Sequence, residues 1–288
     1  MNALLGQKVA IVTPHPQTTR THLLGVLHRP DGQVVFIDTP GVHRSRTVLN
    51  REMMRSVQAG LEGRDLALLM VDVTRGFGAE DSLALDLLQS GAEDNPGGPS
   101  LPTLLVLNKI DRLADKRELL PIIDDYRKRL AFTAIIPVSA LKGEGLDLLT
   151  QNILEHLPEG PEYFPAGQIT DQPERFTISE IIREKAMALT RAEVPHTIAV
   201  QIERLEASPR LTSIGASIVC ERPGQKAILV GHRGEMIRRI GTQARQELEP
   251  LLGRRIFLEL HVLVREDWRE NPRWVARLNW RREEEGHE

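Results

Sequence analysis

Short apolar runs alternate with amphipathic stretches through the first half of the chain. Residues 33–37, 66–73, 104–107 and 134–138 are each short, apolar and bounded by polar residues or by Gly and Pro, which predicts buried strands. Before the second of these, Leu49, Met53, Val57 and Leu61 recur every four residues. Before the fourth, Leu120, Ile123 and Leu130 keep nearly the same rhythm, so helices are predicted between strands. Strands alternating with helices imply an α/β fold with a parallel sheet covered on both faces. Residues 91–102, rich in Gly and Pro, predict a surface loop and an insertion.

A proline-rich stretch with Pro158, Pro161, Pro165 and Pro173 ends this pattern and predicts a linker over 161–177. Beyond it the periodicity predicts a helix over 178–191, strands over 197–203 and 214–220, a Gly-flanked helical turn, a long helix to Leu252 and a strand over 255–263. The chain is therefore divided into an α/β domain over 1–160, the linker, an α+β domain over 178–280 and a charged tail over 281–288. The net charge of −3 conceals an Arg-rich stretch over 231–282 on which a polyanion can dock. One cysteine, Cys220, excludes an internal disulfide framework and fits a reducing compartment. No apolar run approaches eighteen residues and no leader pattern opens the chain, so a soluble, intracellular protein is expected.

Three strand ends carry candidate chemistry. Asp38-Thr39-Pro40-Gly41 puts a carboxylate and a Gly amide at the carboxyl edge of the sheet, suited to a magnesium ion held through water and to a terminal phosphate. Taken alone it reads more readily as a strand-ending turn. At Asn108-Lys109-Ile110-Asp111, the Asp111 carboxylate can accept the ring N–H and exocyclic amine of guanine, a donor pair adenine lacks. Lys109 can lay its stem along the base, and Asn108 can tie neighbouring loops. Ser139 and Ala140 follow the fourth strand, small enough for backbone amides to approach a purine oxygen. In this order the three turns together describe a guanine-nucleotide site.

These motifs resemble those of TRAFAC GTPases, and more narrowly of the Era family. The resemblance implies a P-loop NTPase-like sheet, GTP and GDP as ligands with Mg2+, and GTP hydrolysis. Residues 16–20 look like that family's first switch, which implies Thr18 and Thr19 at the nucleotide and Thr19 with Asp38 at magnesium. Val42 follows Gly41 where Ras-like enzymes carry a water-orienting glutamine, which implies slow turnover or an outside activator. His15, His22 and His43 are read without a catalytic role, and no cluster has metal-ligand spacing. The Gly-x-x-x-x-Gly-Lys-Ser/Thr loop of such enzymes does not occur in the sequence, and residues 1–6 resemble the helix that follows that loop. The strand before it is expected between residues 33–37 and 66–73. Losing roughly four charge-assisted contacts forfeits on the order of 6 to 12 kcal/mol, against about 8 kcal/mol for micromolar binding, so these residues alone are expected to bind nucleotide weakly. A start assigned too late is the favoured explanation, with a genuine truncation or an abandoned nucleotide site as alternatives.

Gly231-His232-Arg233-Gly234 precedes a helix carrying Arg238 and Arg239. Paired glycines let a turn approach a sugar-phosphate chain, and the helix points its positive end at it. With the order of elements around it, this resembles the loop of a type II KH domain, which clamps about four nucleotides of single-stranded RNA. In the family the RNA is the 3′ end of small-subunit (16S) ribosomal RNA, which implies work on the 30S subunit by a cytoplasmic monomer with loose contact to the inner membrane face. Trp268, Trp274 and Trp280 read as packed residues before stacking platforms. The competing reading is a nucleotide-independent RNA-binding protein with a degenerate GTPase domain.

Overall fold

Leu104 to Leu107 have no exposed surface, because the strand they form is the middle of a parallel sheet with apolar layers on both faces. The computed structural model describes residues 1–16, 18–43, 47–90, 99–208 and 210–278. It divides into two compact units, one of Met1–Ala10, His22–Arg44 and Met54–Asp171, the other of Ile11–Thr21, Ser45–Met53 and Gln172–Glu288. Much of the predicted insertion, Trp280 and the charged tail fall outside the described residues.

The first unit begins with α1 (Asn2–Leu5), then β1 (Leu23–Arg29) and β2 (Gly32–Asp38). The helix α2 (Val48–Leu61), whose residues 48–53 are counted with the second unit, leads to β3 (Ala67–Asp72), α3 (Ala79–Gln89), β4 (Thr103–Asn108), α4 (Leu119–Arg127), β5 (Ala134–Val138) and α5 (Leu146–Glu155). β3, β4 and β5 pair in parallel in that order. Successive residues of β4 point to opposite faces: Leu104 and Val106 join Leu149 and Ile153 of α5, while Leu105 and Leu107 join Leu119 and Tyr126 of α4.

The run 33–37 does not enter the parallel sheet. It pairs antiparallel with β1 in a two-stranded sheet, Val26 opposite Val35, closed by the two-residue turn Pro30-Asp31. Among the described residues no strand pairs with the second edge of β2 or with the second edge of β3. The outer edge of β1 is covered instead: Val26 N donates to Ile169 O at 2.8 Å and Thr170 Oγ1 donates to Leu24 O at 2.8 Å. The side chain of Gln33 adds bonds to the backbone of Tyr163 and Phe164. The first part of the predicted linker is thus fixed to the hairpin, which satisfies the polar groups an edge strand exposes.

The second unit holds α6 (Glu174–Leu189), α7 (Val194–Thr197), β6 (Ala199–Ala207), β7 (Leu211–Cys220), α8 (Pro223–Val230), α9 (Glu235–Leu252), β8 (Arg255–Val264) and α10 (Pro272–Arg277). The sheet order is β6-β7-β8, with β7 antiparallel to β6 and parallel to β8. Ile178 and Ile182 of α6 and Ile240, Ala244 and Leu248 of α9 are buried together over one face of this sheet. That spacing of four residues is the helical stripe a sheet-covering helix requires. The predicted strand at 197 starts at Ala199 because residues 194–197, with Pro195 in the first turn, form α7 instead. Trp268 is buried and donates Nε1–H to Thr197 O at 2.8 Å, and Trp274 is buried with the Arg265 guanidinium 4.4 Å from its ring centroid. Both tryptophans are packing residues, sharing a cluster with Leu49 and Met53.

Candidate functional site

The pairing of Asp72, Asn108 and Val138 across three parallel strands brings the ends of β3, β4 and β5 to one edge. There Asn108 acts as a strut: its Oδ1 accepts from Lys109 N at 2.8 Å and from Ala140 N at 3.1 Å, joining the two loops that follow β4 and β5. Ser139 Oγ donates to Asp111 Oδ1 at 2.5 Å, a second tie between the same loops. Asp111 itself is exposed, in a 3₁₀ turn over Ile110–Arg112. Gly145 closes the second loop at φ 78°, where a Cβ would lie 2.4 Å from Pro137 O, so only glycine lets the chain fold back tightly enough for Ser139 N to reach Glu144 O.

Lys109 takes a left-handed backbone, φ 71°, and its Nζ lies 2.6 Å from Asp72 Oδ2. Asp72 also accepts from Thr74 N at 3.0 Å and Thr74 Oγ1 at 2.6 Å. Partial burial works to raise its pKa, but the bonds from Lys109 and Thr74 outweigh it and hold the carboxyl down at about 2. Sequence reasoning missed Asp72. The available signal was its place as the polar end of the predicted strand 66–73, at the same edge as Asn108.

Asp38 ends β2 opposite Leu23. The next residue, Thr39, packs so tightly against α2 that a Cβ on Gly60 would lie 2.6 Å from its Cγ2. His43 is buried and folds back so that Nδ1 lies 2.8 Å from Gly41 O. Thr18 and Thr19, by contrast, belong to the second unit. Thr18 Oγ1 lies 2.7 Å from Thr13 Oγ1 and donates to His15 O at 2.9 Å. Its carbonyl accepts from the buried guanidinium of Arg183 at 2.5 Å, and Arg20 Nη1 donates to Ile198 O at 2.8 Å. These contacts bind the switch-like segment to the second unit, while Asp38, Thr39, Gly41, Asn108, Lys109, Asp111, Ser139 and Ala140 are parts of the first. Gln17 lies outside the described residues.

In the second unit α8 ends at Gly231, φ 73° and ψ 176°, and Gly234, φ 79°, caps α9. A Cβ at Gly231 would stand 2.8 Å from both the N and the Cβ of Met236, whereas one at Gly234 meets nothing nearer than 3.9 Å. His232 and Arg233 between them are exposed, as are Arg238 and Arg239 in the first turns of α9. A shallow groove along α9 is lined by Glu235, Arg238, Arg239, Thr242, Gln243 and Gln246. The loop thus offers a close-approach backbone, a helix N-terminus and cations on one surface, the ingredients for holding a sugar-phosphate chain.

Comparison with known proteins agrees with both halves. Residues 1–109 match a family model described as 50S ribosome-binding GTPase, and residues 193–269 match one described as KH domain. The chain is 40% identical over 282 residues to GTPase Era of Halothermothrix orenii, covering 98% of this chain and 92% of that protein. It is 41% identical to GTPase Era of Syntrophus aciditrophicus, covering 97% and 89%. A solved structure of Era in complex with MgGDPNP and nucleotides 1506–1542 of 16S ribosomal RNA superposes with a TM-score of 0.89 at 40% identity, over 97% of this chain and 92% of that one. An Era variant of Aquifex aeolicus bound to GDP·AlF4− gives 0.88 at 40% identity, over 97% and 93%. With this identity sustained along nearly its whole length, the chain belongs to the GTPase Era family.

Proposed function

We propose that the protein is a guanine-nucleotide switch that hydrolyses GTP and holds the 3′ end of small-subunit ribosomal RNA, acting in assembly of the 30S subunit in the cytoplasm. The observation that carries it is the double tie between the base-reading loops, Asn108 to Ala140 and Ser139 to Asp111, which makes a prepared guanine receptor out of two strand ends. Asp111 accepts the Watson–Crick donors of guanine, the small residues of the loop after β5 leave room for its oxygen, and Lys109, its ammonium anchored on Asp72, offers its alkyl stem to the base. Asp38 is a suitable single carboxylate for a magnesium ion carried by the nucleotide phosphates, the ion supplying charge neutralisation there. Gly41 presents its amide to the terminal phosphate. On the second unit, Gly231, His232, Arg233, Gly234, Arg238 and Arg239 form the RNA clamp. Relatives in this family have been solved with a GTP analogue, with a transition-state mimic and with a 16S rRNA segment, which supports the same ligands here.

The test is coupling between the two ligands. An RNA oligonucleotide spanning the 16S segment solved with the relative is titrated into the protein expressed from its own gene, in saturating GTP analogue and in GDP. The proposal predicts affinities that differ by about 5- to 150-fold, the range of ordinary allosteric coupling. Equal affinities would support a nucleotide-independent RNA-binding protein instead.

A further inference from the structure

We propose that the groove along α9 is a second RNA subsite, in which Thr242, Gln243 and Gln246 read the bases of the strand whose backbone the Gly231–Gly234 loop holds. The inference rests on the RNA-holding reading above. The clamp itself offers glycine backbone, His232, Arg233 and the guanidinium groups of Arg238 and Arg239, and contacts of that kind fix a sugar-phosphate chain without reading its sequence. Sequence is read where polar side chains meet base edges, and in single strands those edges are open. The RNA solved with the relative runs from nucleotide 1506 to nucleotide 1542, far more than the roughly four nucleotides such a loop clamps, so a strand of that kind continues past the glycines.

The groove starts at the clamp. Gly234 caps α9, Glu235 opens it, and Arg238 and Arg239 line both the clamp and the groove. Glu235, Arg239, Thr242 and Gln246 recur at spacings of four, three and four, which makes one stripe about 16 Å long on a helix, flanked by Arg238 and Gln243. This stripe is not the face that packs. Ile240, Ala244 and Leu248 turn into the core, and Gly241 turns to β8, where a Cβ would lie 3.4 Å from Leu260 Cδ1. Among the described residues, none of the six groove side chains makes a hydrogen bond or an ion pair within the protein. Glu235 makes none although Arg238 and Arg239 stand three and four residues on, where opposite charges pair on a helix. Their donors and acceptors are therefore open to a ligand. The chemistry grades along the stripe: cations next to the loop suit phosphates, and the amides and hydroxyl further on, each donor and acceptor at once, suit base edges and 2′-hydroxyls. Glu235 repels phosphate and accepts from the exocyclic amine of a base.

The test separates base reading from backbone holding. Gln243→Ala together with Gln246→Ala is introduced into the protein expressed from its own gene. Affinity is read by fluorescence anisotropy for two RNAs of equal length, the 16S segment solved with the relative and an oligouridine. Alanine is the better helix former, so the thermal melt is expected to stay with the parent's. The double variant is expected to bind the 16S segment on the order of 10- to 100-fold more weakly, and the oligouridine as the parent does. Arg238→Ala together with Arg239→Ala is expected to weaken both RNAs and to flatten the salt dependence, the signature of lost phosphate contacts. Unchanged affinity of the glutamine variant for the 16S segment, or an equal loss on both RNAs, overturns the assignment of the groove. A parent protein that binds neither RNA overturns the RNA-holding reading itself, and this inference with it.

Discussion

Gly231→Asp abolishes RNA binding by breaking the loop, and Gly234→Asp abolishes it while leaving the fold intact. The two glycines look alike in sequence but meet different surroundings. At Gly231 a side chain starts 2.8 Å from the backbone nitrogen of Met236 and at a positive φ of 73°. With ψ at 176° this backbone region is essentially reserved for glycine, and holding another residue there costs roughly 1–3 kcal/mol. Overpacking against backbone adds about 1–3 kcal/mol, so melting temperature and RNA affinity fall together. At Gly234 nothing lies nearer than 3.9 Å, so the substitution leaves mainly the backbone strain of φ 79° and a carboxylate facing the phosphates. Juxtaposed like charges cost several kcal/mol, so RNA affinity is expected to drop at least about 100-fold. Fluorescence anisotropy with a labelled oligonucleotide, paired with a thermal melt, reads both. Undiminished RNA affinity in G234D would show that this loop is not the RNA clamp.

Asp111→Asn exchanges the base the first unit prefers. A carboxylate accepts both the ring N–H and the exocyclic amine of guanine, whereas an amide offers one acceptor and one donor. Its donor then faces the guanine amine, and a xanthine base, with a carbonyl oxygen in that place, becomes the better fit. The Oδ1 of Asn can still accept from Ser139 Oγ, which in the parent donates to Asp111 Oδ1 at 2.5 Å, so the loop tie survives. Losing a charge-assisted bond and leaving a donor opposed is worth roughly 3 kcal/mol, about a 100-fold loss of GTP affinity. Displacement of a fluorescent nucleotide by GTP and by xanthosine triphosphate gives the ratio. A preference for guanine unchanged by the substitution would remove Asp111 from the base-reading site.

The strand ends were legible because the chemistry sits where apolar runs stop. The unbroken run 104–107 marks a strand buried on both faces, and Asn108 follows it directly. The type II KH order was legible from the helical stripe of α9 and the long alternating strand β8. The strand β1 was not, since Gly25 and His28 interrupt its apolar residues and its outer edge is completed by residues 169–170, far along the chain. The Lys109–Asp72 contact depends on the register of β3 against β4, which no local pattern specifies. The attachment of Thr18 to the second unit turns on Arg183, a charged residue buried in α6 that a hydrophobic pattern treats as surface.

The most direct measurement is calorimetric titration of the protein expressed from its own gene with GDP and, separately, ADP, on material whose intact mass has been determined. The sequence carries no Gly-x-x-x-x-Gly-Lys-Ser/Thr loop, so the mass states which residues the titrated protein contains. Micromolar or tighter binding of GDP, corresponding to about 8 kcal/mol or more, with no heat from ADP, is the predicted result. No binding of either nucleotide by protein that still holds the RNA oligonucleotide would contradict the account and leave the loops at Asn108 and Ser139 without a ligand.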